Sequence, residues 1–70
     1  MGEAELFFSD QELQIIKLIA SGKSISEIAE TLVESELAIK NSRSLLLQKM
    51  KIKNNVGLVL YAINEGIVEF

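Results

Sequence analysis

The sequence contains no cysteine, no histidine and no proline. Without thiols and imidazoles the chain has no disulfide framework, no zinc ligands of the usual kinds and none of the commonest catalytic bases or nucleophiles. It also lacks the glycine-rich loop with which many enzymes bind phosphate groups. Its ten carboxylates are scattered over predicted helix starts and surfaces. We therefore predict a domain that is not an enzyme and that carries no cofactor and no metal.

Long apolar stretches are missing as well. The longest unbroken apolar run covers residues 58–63, far less than the roughly 20 residues that a membrane-spanning helix needs. The amino terminus is acidic at Glu3 and Glu5, whereas a signal peptide begins with basic residues followed by an apolar region. These absences predict a cytoplasmic protein with no membrane partner, and nothing in the sequence indicates a small-molecule ligand.

What the chain does have is a high share of apolar residues. Its 70 residues are 49% hydrophobic, which is enough for one compact core although the domain is small. The apolar residues recur every three or four positions, as they do along a helix that is buried on one side. No segment alternates between apolar and polar residues as a strand would. We predict an all-α fold in a single domain, residues 1–70.

Capping signals divide the chain into four helices. Ser9 with Glu12 and Ser24 with Glu27 each form a capping box, in which the serine and the glutamate satisfy each other's backbone N–H groups. Ser35 and Asn54 are suitable N-caps for two later helices, and Gly22 is a suitable end for the first. The predicted helices cover residues 10–21, 25–32, 36–51 and 55–65.

The third predicted helix carries most of the positive charge of an otherwise acidic chain. The net charge is −3, yet five of the seven basic residues lie between positions 37 and 53, and no acidic residue falls there. These five residues are Lys40, Arg43, Lys49, Lys51 and Lys53. A helix that concentrates cations in this way is suited to binding an anion such as DNA. The last three lysines have a second explanation, since cations near a helix C-terminus offset the helix dipole.

The second and third helices are separated by a three-residue turn, which is the pattern of a helix-turn-helix. In that motif the second helix of the pair enters the major groove, and its N-terminal half contacts base edges. Here that half carries Lys40, Asn41, Arg43 and Ser44, whose side chains suit guanine, adenine and phosphate. The outward face of the helix, which we predict to contact DNA, consists of Leu37, Lys40, Asn41, Ser44, Gln48 and Lys51.

Two runs in this helix carry a family resemblance: I-K-N at positions 39–41 and L-L-x-K-M-x-I-K-N at positions 46–54. With them, the stretch 8–68 resembles the LuxR/FixJ/NarL-type helix-turn-helix domain. That domain is the C-terminal output domain of many bacterial response regulators and quorum-sensing regulators. The resemblance implies a four-helix bundle that binds double-stranded DNA through the third helix. It maps base contacts onto Lys40, Asn41 and Ser44, and backbone contacts onto positions that include Leu37, Ala38 and Arg43.

The sequence departs from the family pattern near the start of the third helix. Position 37, commonly lysine in the family, is leucine, and position 38, commonly a phosphate-binding threonine, is alanine. Position 34, usually an apolar core residue, is glutamate, and we expect Val33 to take over its packing. These departures keep a second function open: an interaction module on the same scaffold that binds a protein and not DNA.

The fourth predicted helix is apolar almost all round, which predicts burial on two sides. In so small a domain one side can face a second subunit, and the resemblance implies dimerisation that often uses this helix. We predict a homodimer on DNA, with an interface made by Val56, Val59, Leu60 and Ile63.

Overall fold

The computed structural model describes residues 8–68 and contains four helices. These are α1 (Asp10–Ala20), α2 (Ile25–Leu32), α3 (Glu36–Met50) and α4 (Asn55–Asn64). Each helix begins at the predicted residue, and α1, α3 and α4 end one residue earlier than predicted. No strand occurs within these residues, so the prediction of an all-α fold is confirmed. That residues 1–70 form one domain stays a prediction.

The helix starts are held by the side chains that the sequence indicated. Both capping boxes are formed: the Ser9 and Ser24 hydroxyls accept from the third N–H of their helices, and Glu12 and Glu27 accept from the serine N–H groups. The Asn54 side chain accepts from the N–H of Gly57 at 3.0 Å and so caps α4. These local bonds fix where each helix begins, independently of the packing between helices.

The core is made entirely of apolar side chains. Ten of them are buried, and no polar or charged side chain among the described residues joins them. The buried residues are Ile15, Ile16, Ile19, Ile28, Ala29, Ile39, Leu46, Met50, Leu58 and Ala62. The helices pack mainly in two pairs, α1 with α4 and α2 with α3. α2 has only eight residues and buries Ile28 and Ala29 in this core, since so short a helix needs packing to be stable.

Contacts of the Phe8 ring join the start of the described chain to α3 and α4. Phe8 packs against the core, and its ring meets that of Tyr61 edge-on, with centroids 6.2 Å apart. The Lys49 ammonium group lies 5.0 Å from the centre of the Phe8 ring and 3.2 Å from Glu12 Oε1. Burial raises the pKa of Tyr61, and the negative charge of the nearby Glu65 carboxylate raises it further. The sequence predicts that Leu6, Phe7 and Phe8 pack against the first helix with at least one of them in the core; Phe8 does pack against the core, and Leu6 and Phe7 lie outside the described residues.

The turn between α2 and α3 contains an unusual backbone conformation. Val33 lies in the left-handed region at φ 57°, ψ 51°, which is an outlier for a β-branched residue. The Glu34 N–H donates to the Ala29 carbonyl at 2.9 Å, which closes the end of α2. Val33 is 89% exposed, so the expectation that it packs in the core is wrong. As the residue that terminates α2, it presents its side chain to solvent.

Candidate nucleic-acid interface

The side of α3 that faces away from the core is polar and carries positive charge. Ile39, Leu46 and Met50 are the buried residues of this helix. The remaining positions include six that were predicted to form the outward face, and all six are exposed: Leu37, Lys40, Asn41, Ser44, Gln48 and Lys51. Their spacing of three or four residues places them along one stripe of the helix. We refer to these six residues as the outer face of α3.

The position of this face follows from local structure at both ends of α3. The Ser35 hydroxyl accepts from the Ala38 N–H at 3.0 Å and fixes the first turn. At the other end Lys51 takes a left-handed conformation at φ 57° and terminates the helix. Between these ends Ile39 and Leu46 are fully buried, so rotation of α3 about its axis would expose apolar side chains. The core thereby determines which residues face outward.

Two of the predicted DNA-binding residues lie beside the outer face. Ala38 is half-buried, and its N–H is already bonded to the Ser35 cap. Arg43 is also half-buried, and its Nη1 donates to Asn55 Oδ1 at 3.4 Å. The Arg43 Nε is buried and has no hydrogen-bond partner within the described residues. The Arg43 side chain therefore contacts the start of α4, and any contact that it makes with DNA stays a prediction.

The cluster of basic residues separates into two groups in the folded chain. The Lys49 ammonium group is paired with Glu12 of α1, and Arg43 contacts Asn55 of α4. Lys40 and Lys51 are exposed, as is Lys53 in the connection that follows α3. The two cations predicted for the outer face, Lys40 and Lys51, are therefore exposed there, while Lys49 and Arg43 contact other helices. The partners Glu12 and Asn55 were recognised from the sequence only as parts of helix starts.

Acidic residues lie next to the outer face at the start of α3. Glu30, Glu34 and Glu36 are exposed and line a shallow groove at the turn between α2 and α3. Glu27, one turn earlier on α2, has a pKa below its usual 4.5, mainly because it accepts from the Ser24 N–H. Since phosphate groups are repelled by carboxylates, a duplex that contacts Lys40 would have to avoid this groove. The charge distribution thus restricts how DNA can approach α3.

A separate apolar stripe lies on α4. Val56, Leu60 and Ile63 are exposed and spaced by four and three residues, which places them on one side of the helix. Val59, predicted for the same interface, is half-buried and packs against the core. The structure therefore groups three of the four predicted dimer residues on the surface and places the fourth at the edge of the core.

Comparison with known proteins identifies the family to which the chain belongs. The family described as bacterial regulatory proteins, luxR family, matches residues 6–62. The chain belongs to the luxR family of bacterial regulatory proteins. The predicted family resemblance is confirmed, and with it the assignment of the chain as the helix-turn-helix domain of a bacterial transcriptional regulator.

Several bacterial regulatory proteins are similar to the chain. It is 36% identical over 62 residues to the oxygen regulatory protein NreC of Staphylococcus carnosus, covering 89% of the chain and 29% of NreC. It is 40% identical over 58 residues to the transcriptional regulatory protein MctR of Rhizobium johnstonii, covering 83% of the chain and 27% of MctR. For the transcriptional regulatory protein DesR of Bacillus subtilis the identity is 29% over 58 residues, covering 83% and 29%. The chain thus spans less than a third of the length of these relatives.

Two further observations concern partners other than DNA. Within residues 8–68 no helix is both long enough and apolar enough to cross a membrane. In the same part of the chain no three side chains of the types that bind metals lie close enough together to hold an ion. The luxR family itself consists of regulatory proteins and is not a class of enzymes.

Proposed function

We propose that this domain binds double-stranded DNA with the outer face of α3 in the major groove, as the output domain of a response regulator. The observation that carries the proposal is the outer face itself, which is exposed, polar and cationic although the chain as a whole is acidic. A helix that follows a helix-turn-helix turn and presents such a face has the geometry of a recognition helix.

Each side chain of the outer face has a role that its chemistry supports. Asn41 can form two hydrogen bonds with adenine, and Lys40 can bond either guanine or phosphate. Ser44 and Gln48 can donate to or accept from base edges farther along the groove. Lys51, at the end of α3, is suited to a phosphate contact. Most of the affinity would come from phosphate neutralisation, so we expect binding to weaken steeply as salt is added.

We also propose that two copies pair through the exposed stripe of α4. Val56, Leu60 and Ile63 form a continuous apolar strip that would lose contact with water on pairing. Pairing would present two α3 helices to two half-sites on the DNA, as symmetric helix-turn-helix dimers do. The proposal is supported by the exposure of these three side chains. A sedimentation measurement of wild type and of Leu60→Asp tests it, because a buried carboxylate at this position would prevent pairing.

A titration with fluorescently labelled duplex DNA tests the DNA-binding proposal. Anisotropy is measured with mixed-sequence duplex at low and at moderate salt for wild type, Lys40→Ala and Lys49→Ala. The two variants lose the same charge, but Lys49 is paired with Glu12 whereas Lys40 is on the outer face. We expect Lys40→Ala to bind more weakly and to reduce the slope of log K against log salt by about one. Lys49→Ala should keep the wild-type slope once its folding has been verified by circular dichroism.

The other candidate function, a protein-interaction module, is favoured by the exposed apolar side chains Leu37 and Leu60. The same titration distinguishes it from DNA binding. If wild type does not bind DNA even at low salt, the DNA-binding proposal is wrong, and a protein-interaction module is the candidate function that remains. If wild type does bind, an NMR shift map recorded during the titration should show shifts on the outer face of α3 and not on the exposed stripe of α4.

A further inference from the structure

One residue of the outer face of α3 does not share the chemistry of its neighbours. Leu37, the second residue of the helix, is 67% exposed. Asn41 and Ser44 follow it by four and seven residues, which places Asn41 about 40° to one side of Leu37 and Ser44 about 20° to the other side around the helix axis. Leu37 therefore lies between the two polar side chains when the helix is viewed end-on. No described part of the chain covers it.

We infer that Leu37 reads the C5-methyl group of a thymine in the major groove. The inference rests on the proposed function, since it requires α3 to enter that groove. In such a complex the N-terminal half of the helix is closest to the base edges, and Leu37 belongs to its first turn. A leucine placed there cannot bond a phosphate or a base acceptor, and it would cost free energy by separating those groups from water. The thymine methyl is the apolar group that base pairs present in this groove.

The neighbours of Leu37 on the outer face favour DNA over an apolar protein surface as its partner. The acidic groove at Glu34 and Glu36 requires the duplex to approach from the side of Lys40. Lys40, Asn41 and Ser44 are exposed around Leu37, so an apolar partner that covered Leu37 would also desolvate a charge and two polar groups. In the major groove the same three side chains meet base acceptors, base donors and phosphates. The single apolar contact is then one element of a mainly polar interface. It supplies a preference for one base at one position.

The second exposed leucine of α3 provides a matched control. Leu45 is 63% exposed, almost as much as Leu37. It follows Leu37 by eight residues, which places it about 80° around the axis, at the side of the outer face and just beyond the N-terminal half. A readout by Leu37 should not depend on Leu45.

Selection from a pool of random duplexes, with the 70-residue chain at low salt, identifies preferred sequences. For the wild type we expect thymine to be enriched at one fixed position per half-site. Each thymine in the selected duplex is then replaced with deoxyuridine, which removes only the methyl group. At the fixed position this change should weaken wild-type binding about four-fold, the effect of leaving one methyl group unburied.

Variants assign the effect to the side chain. Leu37→Ala should bind the thymine duplex more weakly and should show no further loss with deoxyuridine at that position. Leu45→Ala should keep the four-fold loss. If Leu37→Ala keeps it as well, or if no thymine is enriched, the readout by Leu37 is overturned while DNA binding stands. If wild type shows no salt-sensitive binding to any duplex, the proposed function fails and the inference fails with it.

Discussion

The left-handed residue in the turn before α3 gives a sharp prediction about stability. Val33 has φ 57° and is 89% exposed. Replacing it with glycine removes a side chain that packs against little and relieves the clash between Cβ and the following carbonyl. We therefore expect Val33→Gly to stabilise the domain, although most glycine substitutions destabilise.

The magnitude follows from two opposing effects. The left-handed conformation costs an L-residue about 1–2 kcal/mol, and the branched side chain of Val33 places it at the upper end. Glycine loses more backbone entropy on folding, which costs about 0.5–1 kcal/mol. The net gain should be about 1–1.5 kcal/mol, and for a domain of this size that raises the melting temperature by about 4–12 °C. Val33→Asn should give a similar gain, because asparagine tolerates this conformation and loses less backbone entropy on folding than glycine does.

Thermal unfolding followed by circular dichroism measures these changes. Lys51 is the matched control, since it has the same φ of 57° but an unbranched side chain. Lys51→Gly should therefore stabilise less than Val33→Gly. A lower melting temperature for Val33→Gly, or a gain no larger than that of Lys51→Gly, would refute the assignment of strain to Val33.

Two more predictions concern packing and pH. Helix propensity alone would make Gly57→Ala stabilising by about 1 kcal/mol, but an added Cβ would lie 2.5 Å from Ile52 Cγ2. In urea unfolding we expect Gly57→Ala to lower the free energy of unfolding by about 1–3 kcal/mol. In an Ile52→Ala background, which lacks the obstructing methyl, the same substitution should cost less. A higher free energy of unfolding for Gly57→Ala alone would contradict this. Backbone N–H donors hold the pKa of Glu12 and of Glu27 below the ordinary 4.5. The contribution of these two carboxylates to the free energy of unfolding is therefore fully present above about pH 4.5, and it is lost as the pH falls through their lower pKa values in the folded protein. The Glu12→Gln/Glu27→Gln double variant keeps both caps, so the urea concentration at its unfolding midpoint should fall less between about pH 6 and pH 3 than that of wild type. An equal fall in the two proteins would show that other groups cause the acid sensitivity.

The helices and the outer face of α3 could be predicted because their signals are local. A capping box spans four residues, and the apolar repeat that separates Ile39 and Leu46 from Asn41 and Ser44 is read within one helix. The structure places these elements where those patterns indicate. Such features depend on the order of neighbouring residues and need no knowledge of how the helices pack.

Contacts between helices had no comparable signal. The pair of Glu12 with Lys49 joins residues 37 positions apart, and no local pattern connects them. The contact of Arg43 with Asn55 likewise depends on the angle between α3 and α4. Val33 was expected to take over the packing of position 34, which is usually apolar in the family, yet its exposure is determined by the backbone conformation that ends α2. Hydrophobicity and charge describe what a side chain prefers, while the packing of four helices determines what it meets.

The two helix pairs of the fold separate two kinds of contact. The apolar stripe belongs to α4, which packs on α1, and the outer face belongs to α3, which packs on α2. The proposed pairing surface and the proposed DNA-binding surface therefore share no residue. A substitution that changes base preference at the outer face would leave the proposed pairing stripe intact, and a substitution in the stripe would leave the outer face intact.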